Sequence, residues 1–239
     1  MKTKLTEEQT DFLNRFTKGS WKLNSETGLI DIKGEFYCPD EGLKDFKGIK
    51  FGVVTGDFDC SHNKLTSLVG APQKVGEDFD CSHNKLTSLV GAPQKVGAGF
   101  RCHNNKITSL VGAPQEVGWE FNCDSNKLTS LVGAPQKVVE YFSCDNNQLT
   151  SLEGAPQEVG KDFHCEKNPI SKEFLQMIWE RMKNGSSYYI ALASLKKVFQ
   201  EKKEKEIQKI NLKYDSILSQ IKDDDLAKSA SGLSKFGII

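Results

Sequence analysis

Seven cysteines and four histidines are the residues whose chemistry stands out first. Thiolates and imidazoles hold zinc, paired thiols form disulfides, and an activated thiol is a nucleophile. His62 and His83 each lie two residues after a cysteine, Cys60 and Cys81. No Cys-x-x-Cys pair occurs, however, so structural zinc lacks its usual ligand spacing. The cysteines fall at 38, 60, 81, 102, 123, 144 and 165, one step of 22 and five of 21. A constant step describes a ladder, and free cysteine packs as a small hydrophobe. A Thr-Ser pair recurs at the same step from Thr66-Ser67 to Thr150-Ser151, which reads as a repeated polar turn. No serine-hydrolase elbow, phosphate loop, zinc-protease motif or dinucleotide fingerprint is present. The reading is a non-enzyme with no metal and no cofactor.

The elements that must carry these residues are the coils of a repeat. Residues 56–76 read GDFDCSHNKLTSLVGAPQKVG, and 77–97 differ from them only in Glu77 for Gly56. Three further copies run to residue 160, a degenerate one starts at Gly34, and a truncated one follows from Lys161. A fixed period in this range marks a solenoid. Within a coil, Phe79-Asp80-Cys81 alternates as a short strand with Phe79 and Cys81 inward. Asn84 stands where the chain must leave that strand, and its amide is expected to bond the backbone of its own and the next coil. Its equivalents are Asn63, Asn105, Asn126, Asn147 and Asn168. Leu86 and Leu89 supply a second inward row, Gly91-Ala92-Pro93 turns the chain, and Val96 closes the coil.

The pattern F-x-C-x-x-N-x-L-x-x-L-x-G-x-P-x-x-V resembles a short leucine-rich repeat, with Phe and Cys where relatives carry Leu or Val. The LTSLxGAPxxVG wording is similar to repeat proteins of tailed bacteriophages and some bacteria, and the resemblance covers roughly 34–170. It implies an α/β repeat solenoid with a curved parallel β-sheet on the concave face, a convex face of loops and turns, and a helical C-terminal cap. It also implies protein binding rather than catalysis. Glu41 departs from the pattern at the first Asn position, and Pro169 follows the last Asn.

The division expected is a cap of helix plus hairpin over 1–33, about seven coils over 34–170, a helical cap over 171–200, a charged helix over 201–222 and a flexible tail over 223–239. Thr6 and Gln9 form a capping-box pattern ahead of Phe12, Leu13 and Phe16. Ile207, Ile210, Tyr214, Ile217 and Ile221 follow the a/d spacing of a short coiled coil, through which a homodimer would form. Basic and acidic residues number 32 each, so no global field draws nucleic acid or a membrane, and neither is expected as a partner. The polar N-terminus has no apolar signal core, which points to the cytoplasm, or to a host's cytoplasm for a viral protein.

Letters flanking Phe and Cys vary between copies while core letters do not. Outward columns are less constrained, so drift or selection could produce this. Asp57, Asp59, Asp78 and Asp80 gather acid at the first full coils. Arg101, Trp119, Glu120, Asn122 and Tyr141 bring Arg and aromatic character together, as interface hot spots do. The leading expectation is a scaffold that binds, and inhibits, a host protein on this face or its rim. Two alternatives stand beside it: an oligomeric assembly component joined by the C-terminal helix, and an acidic mimic of nucleic acid that blocks a basic groove.

Overall fold

The computed structural model describes residues 4–171, 173 and 204–213. Helix α1 (Glu7–Phe16) starts from Thr6, whose hydroxyl accepts the Gln9 amide while the Gln9 side chain accepts the Thr6 N–H. This reciprocal cap satisfies two N–H groups that the first turn leaves free. Phe12, Leu13 and Phe16 are buried, and the Phe12 and Phe16 rings pack onto Phe36.

Strand β1 (Thr17–Leu23) pairs antiparallel with β2 (Ile30–Tyr37) around the Asn24–Leu29 turn. The division expected between residues 33 and 34 therefore falls inside β2. β2 pairs with the hairpin strand from Ile30 to Phe36, and its Phe36-Tyr37 end is also the Phe-x strand of the first coil. Strand β3 (Phe51–Val54) pairs parallel with the beginning of β2.

From there the chain alternates between two kinds of two-residue strand: β4 (Phe58–Asp59), β5 (Lys74–Val75), β6 (Phe79–Asp80), β7 (Lys95–Val96), β8 (Phe100–Arg101), β9 (Glu116–Val117), β10 (Phe121–Asn122), β11 (Lys137–Val138), β12 (Phe142–Ser143), β13 (Glu158–Val159) and β14 (Phe163–His164). Even-numbered strands pair parallel with one another, and so do odd-numbered ones from β3 onward. Both ladders meet at β2, giving one continuous parallel β-solenoid of about six turns with a 21-residue coil. Beyond the Phe strands the coil is expected to be mostly loop and turn; the Val that closes each coil forms a second ladder within it, because it sits in register with its neighbours.

The interior is a set of stacked rows. Phe36, Phe58, Phe79, Phe100, Phe121, Phe142 and Phe163 stack in turn with ring centroids 5.2–5.5 Å apart and nearly parallel planes. Burying each such ring contributes about 1.5–3 kcal/mol. The Cys, Leu and Val rows between them are also buried, apart from the last coil, where Val159, Phe163 and Cys165 are partly exposed.

Asn84 is the hinge of its coil. Its Nδ2 donates to the carbonyls of Cys60, Cys81 and Ser82 at 3.0–3.1 Å, and its Oδ1 accepts the Leu65 N–H at 2.9 Å. Its inter-coil bonds thus run to the preceding coil, not the next. The same pattern recurs at every equivalent position down to Asn168, whose bonds persist despite Pro169. Where Glu41 replaces the first Asn, its carboxylate faces Arg15 of α1 at 3.1 Å.

A glycine column after the Val row lets the coils approach closely: a Cβ on Gly97 would collide with the Gly76 carbonyl. Residues 204–213 form a helix. The remainder of the expected cap, coiled coil and tail lies outside the described residues. Among the described residues, no helix is long and apolar enough to cross a membrane.

Candidate partner-binding face

The Phe-x-Cys strands present their intervening residues outward, so one face of the solenoid is built from side chains at one-coil intervals. Most of these side chains are already engaged. Asp59 Oδ1 accepts the Ser61 N–H at 2.8 Å, Asp80 Oδ1 accepts that of Ser82 at 2.8 Å, and Asn122 Oδ1 accepts that of Asp124 at 3.0 Å. These are local side-chain turns that close the strand end. Asp57 accepts the Asp78 N–H, and Asp78 accepts the Gly99 N–H. Burial, and after it the nearby Asp80 charge, push the Asp59 carboxyl above its ordinary value, although hydrogen bonds from Ser61 act the other way.

Arg101 joins three coils. Its guanidinium donates to Asp78 at 2.9 Å and to Glu120 at 2.5 Å, and it is 32% exposed. Gly99 lies between those partners and leaves room for the side chain. The same two carboxylates hold Arg101 firmly charged against the opposing effect of burial. Its role as an inter-coil clamp was not read from the sequence. The signal was nevertheless there: an Arg between coils that carry Asp78 and Glu120 in the adjacent column.

Trp119 behaves differently. It stands at the corner leading into the Phe strand, linked to its neighbours by backbone bonds to Ala98 and from Glu140, with its side chain 55% exposed. Val139, one residue before Glu140, is also exposed. Tyr141 is half-buried under the Lys161 ammonium, which sits 5.4 Å from the ring centroid. The residue after each Cys is one of the flanking letters that would line this surface. Ser61 and Ser82 are buried instead, because the chain there is already turning inward toward Asn63 and Asn84.

The turn itself holds a feature missed from sequence. Asp40, His62, His83, Asn104, Ser125, Asn146 and Lys167 all adopt φ between 52° and 57°, the left-handed region. Asn, Asp and His are enriched there, and that composition at Cys+2 was the available sign. His62 and His83 consequently stack at 4.1 Å, with His103 edge-on to His83 at 5.2 Å. Among the described residues, no group of three His, Cys, Asp or Glu side chains is placed to hold a metal ion. Burial raises every cysteine thiol, Cys165 to about 12, so the thiols sit protonated in the core row.

No protein-family model, curated protein or solved structure matches this chain.

Proposed function

We propose that the chain is a non-catalytic protein-binding scaffold whose partner docks on the Phe-x-Cys face and its corner, with Trp119 and Tyr141 as anchors and Arg101, Glu120 and Asn122 as the polar surround. One observation carries this reading: Trp119 exposes a large indole on a face where neighbouring carboxylates and amides are tied to backbone or to Arg101. Exposed aromatics beside an ordered Arg are the composition of interface hot spots. The Asp57, Asp59, Asp78 and Asp80 group extends the same face and favours a partner with basic residues at its rim.

The finer assignment rests on the wording of the coil, which is similar to short leucine-rich repeats of bacteria and bacteriophages. On that resemblance the partner is a host protein in the cytoplasm, and binding inhibits it. The test is co-purification from a bacterial host of wild-type protein beside a Trp119→Ala/Tyr141→Ala variant. A partner held by wild type and lost by the variant supports the site. A partner held equally by both removes it.

A second reading has its own observation. Ile207 and Ile210, two positions of the a/d pattern, are exposed on the described helix, as residues of an oligomer seam would be in a single chain. A monomeric mass in solution counts against it.

A further inference from the structure

The face that follows the Asn hinge has a composition unlike the Phe face. Within each coil, Leu65 and Leu68 point inward, while Lys64, Thr66, Ser67 and Val69 are exposed. Stacking repeats this, so Lys64, Lys85, Lys106 and Lys127 form one column, each N–H bonded to the coil before. Coils lie about 4.8 Å apart, so the column is about 14 Å long. Among the described residues none of these four ammonium groups forms an ion pair. No acidic residue occurs in His62–Gln73, His83–Gln94, Asn104–Gln115 or Ser125–Gln136. On the same face run Val69, Val90, Val111 and Val132, which are 51–69% exposed. Each Val sits ahead of a positive-φ Gly, in a turn closed by an Ala N–H to Leu carbonyl bond. The valines are thereby held outward by turn geometry and contribute nothing to the core.

The two columns end together. In the next coil, Gln148 takes the Lys position and Glu153 takes the Val position. A solvated surface gives no reason for basic and apolar character to stop at the same coil. A phosphate polymer would account for the lysines but not for the valines, and the face has no aromatic side chain on which bases could stack.

We propose that this Lys–Thr–Val face is a docking surface for an anionic lipid bilayer. The ammonium groups meet lipid phosphate and carboxylate, the threonine hydroxyls meet headgroup oxygens, and the valines rest in the interfacial layer. Charge complementarity and an apolar column on one surface are together what peripheral attachment requires. A bilayer is laterally fluid, so it needs no match to the coil spacing. The chain's zero net charge is no obstacle, because exposed charges act over about one Debye length, roughly 8–10 Å. The inference does not rest on the protein-binding reading, which uses another face.

The experiment is co-sedimentation of the full chain with vesicles of phosphatidylcholine alone and with about one-third phosphatidylserine. Binding is expected only to the anionic vesicles and should weaken with salt. Each Lys→Gln change in the column should cost about fivefold in partitioning, and all four together several hundredfold, with Lys→Arg retaining binding. Changing the four valines to Thr should give a smaller loss that salt does not alter. The Trp119→Ala/Tyr141→Ala variant should bind vesicles like wild type, which separates this proposal from the preceding one. Circular dichroism confirms that the variants are folded. The proposal is overturned if wild type ignores anionic vesicles, or if the four-Gln variant binds them unchanged. It is equally overturned if duplex DNA is bound and vesicles are not, or if the face instead drives lipid-free association of two copies.

Discussion

The two faces of the coil are made from the same repeat and stacked at the same pitch, yet they treat their polar groups in opposite ways. On the Phe face, Asp59, Asp80 and Asn122 close turns, Asp57 and Asp78 bond the next coil, and Arg101 clamps two carboxylates. On the Lys face, the ammonium and threonine side chains form no hydrogen bond to described residues, and only the Ser hydroxyls are used, by the Val N–H two residues on. The difference teaches that variation between copies has two meanings here. Where Arg101 stands in place of Asp on the Phe face, inter-coil bonding changes with it, whereas Asn122 keeps the turn that Asp59 and Asp80 make. Where letters stay constant on the Lys face, the stability of the fold does not demand it.

Substitutions can break or sharpen this contrast. The largest effect belongs to the hinge between the faces. Asn84→Ala orphans the buried Leu65 N–H, at about 1–3 kcal/mol, and takes one of two donors from the Cys60, Cys81 and Ser82 carbonyls, which keep Asn63 Nδ2, Asn105 Nδ2 and the His62 N–H, each lost bond adding about 0.5–1.5 kcal/mol. The expected loss is about 3 kcal/mol or more, read from the denaturant midpoint with an unchanged slope. An unfolding midpoint equal to wild type would mean the ladder is held by its hydrocarbon rows alone.

On the Phe face, Arg101→Met should cost about 1 kcal/mol, since the clamp is only half-buried. The loss should shrink at high salt, where the abandoned Asp78 and Glu120 charges are screened. A salt-independent loss would assign the effect to packing of the Arg stem.

Asp59→Asn should be smaller still, within about 0.5 kcal/mol at neutral pH, because Asn122 already performs the same turn with an amide. Its sharper signature is pH dependence. Burial raises the folded Asp59 carboxyl, so the folded state holds that proton more tightly than the unfolded chain does. Between the unfolded value, about 3.9, and the raised one, stability falls as pH rises and returns on acidification. Thermal melts of the Asn variant across this range should lack that contribution.

The smallest effect is expected on the other face. Lys85→Gln should leave stability within about 0.5 kcal/mol of wild type, as for any exposed site without partners. A loss approaching that of Arg101→Met would abolish the contrast between the faces.

Much of this was legible beforehand. The 21-residue period, the inward Phe, Cys, Leu and Val rows, the Asn hinge, the Thr6–Gln9 cap and the hairpin could all be read, because each is a local pattern repeated or a cap with its own chemistry. Three things could not. The direction of the Asn bonds depends on which way successive coils step. The Val ladder depends on a register that one apolar letter per coil does not specify. The left-handed position two residues after each Cys is a backbone state that five different residue types share, so no single letter announces it.

The same division holds for function. Sequence alone determined that the cysteines belong to a ladder, that the Asp and Arg–Trp–Tyr letters face outward, and that positive and negative charges balance, since composition and spacing are properties of the chain read in order. Only the tertiary structure decided where those charges go. Stacking turns a letter repeated every 21 residues into a column about 4.8 Å in pitch, so residues remote in the chain become neighbours. Acid is thereby collected on one face around a single Arg, while lysines collect on another with no ion-pair partner among the described residues. A sum over the chain is zero in either arrangement, and a partner meets only one face at a time.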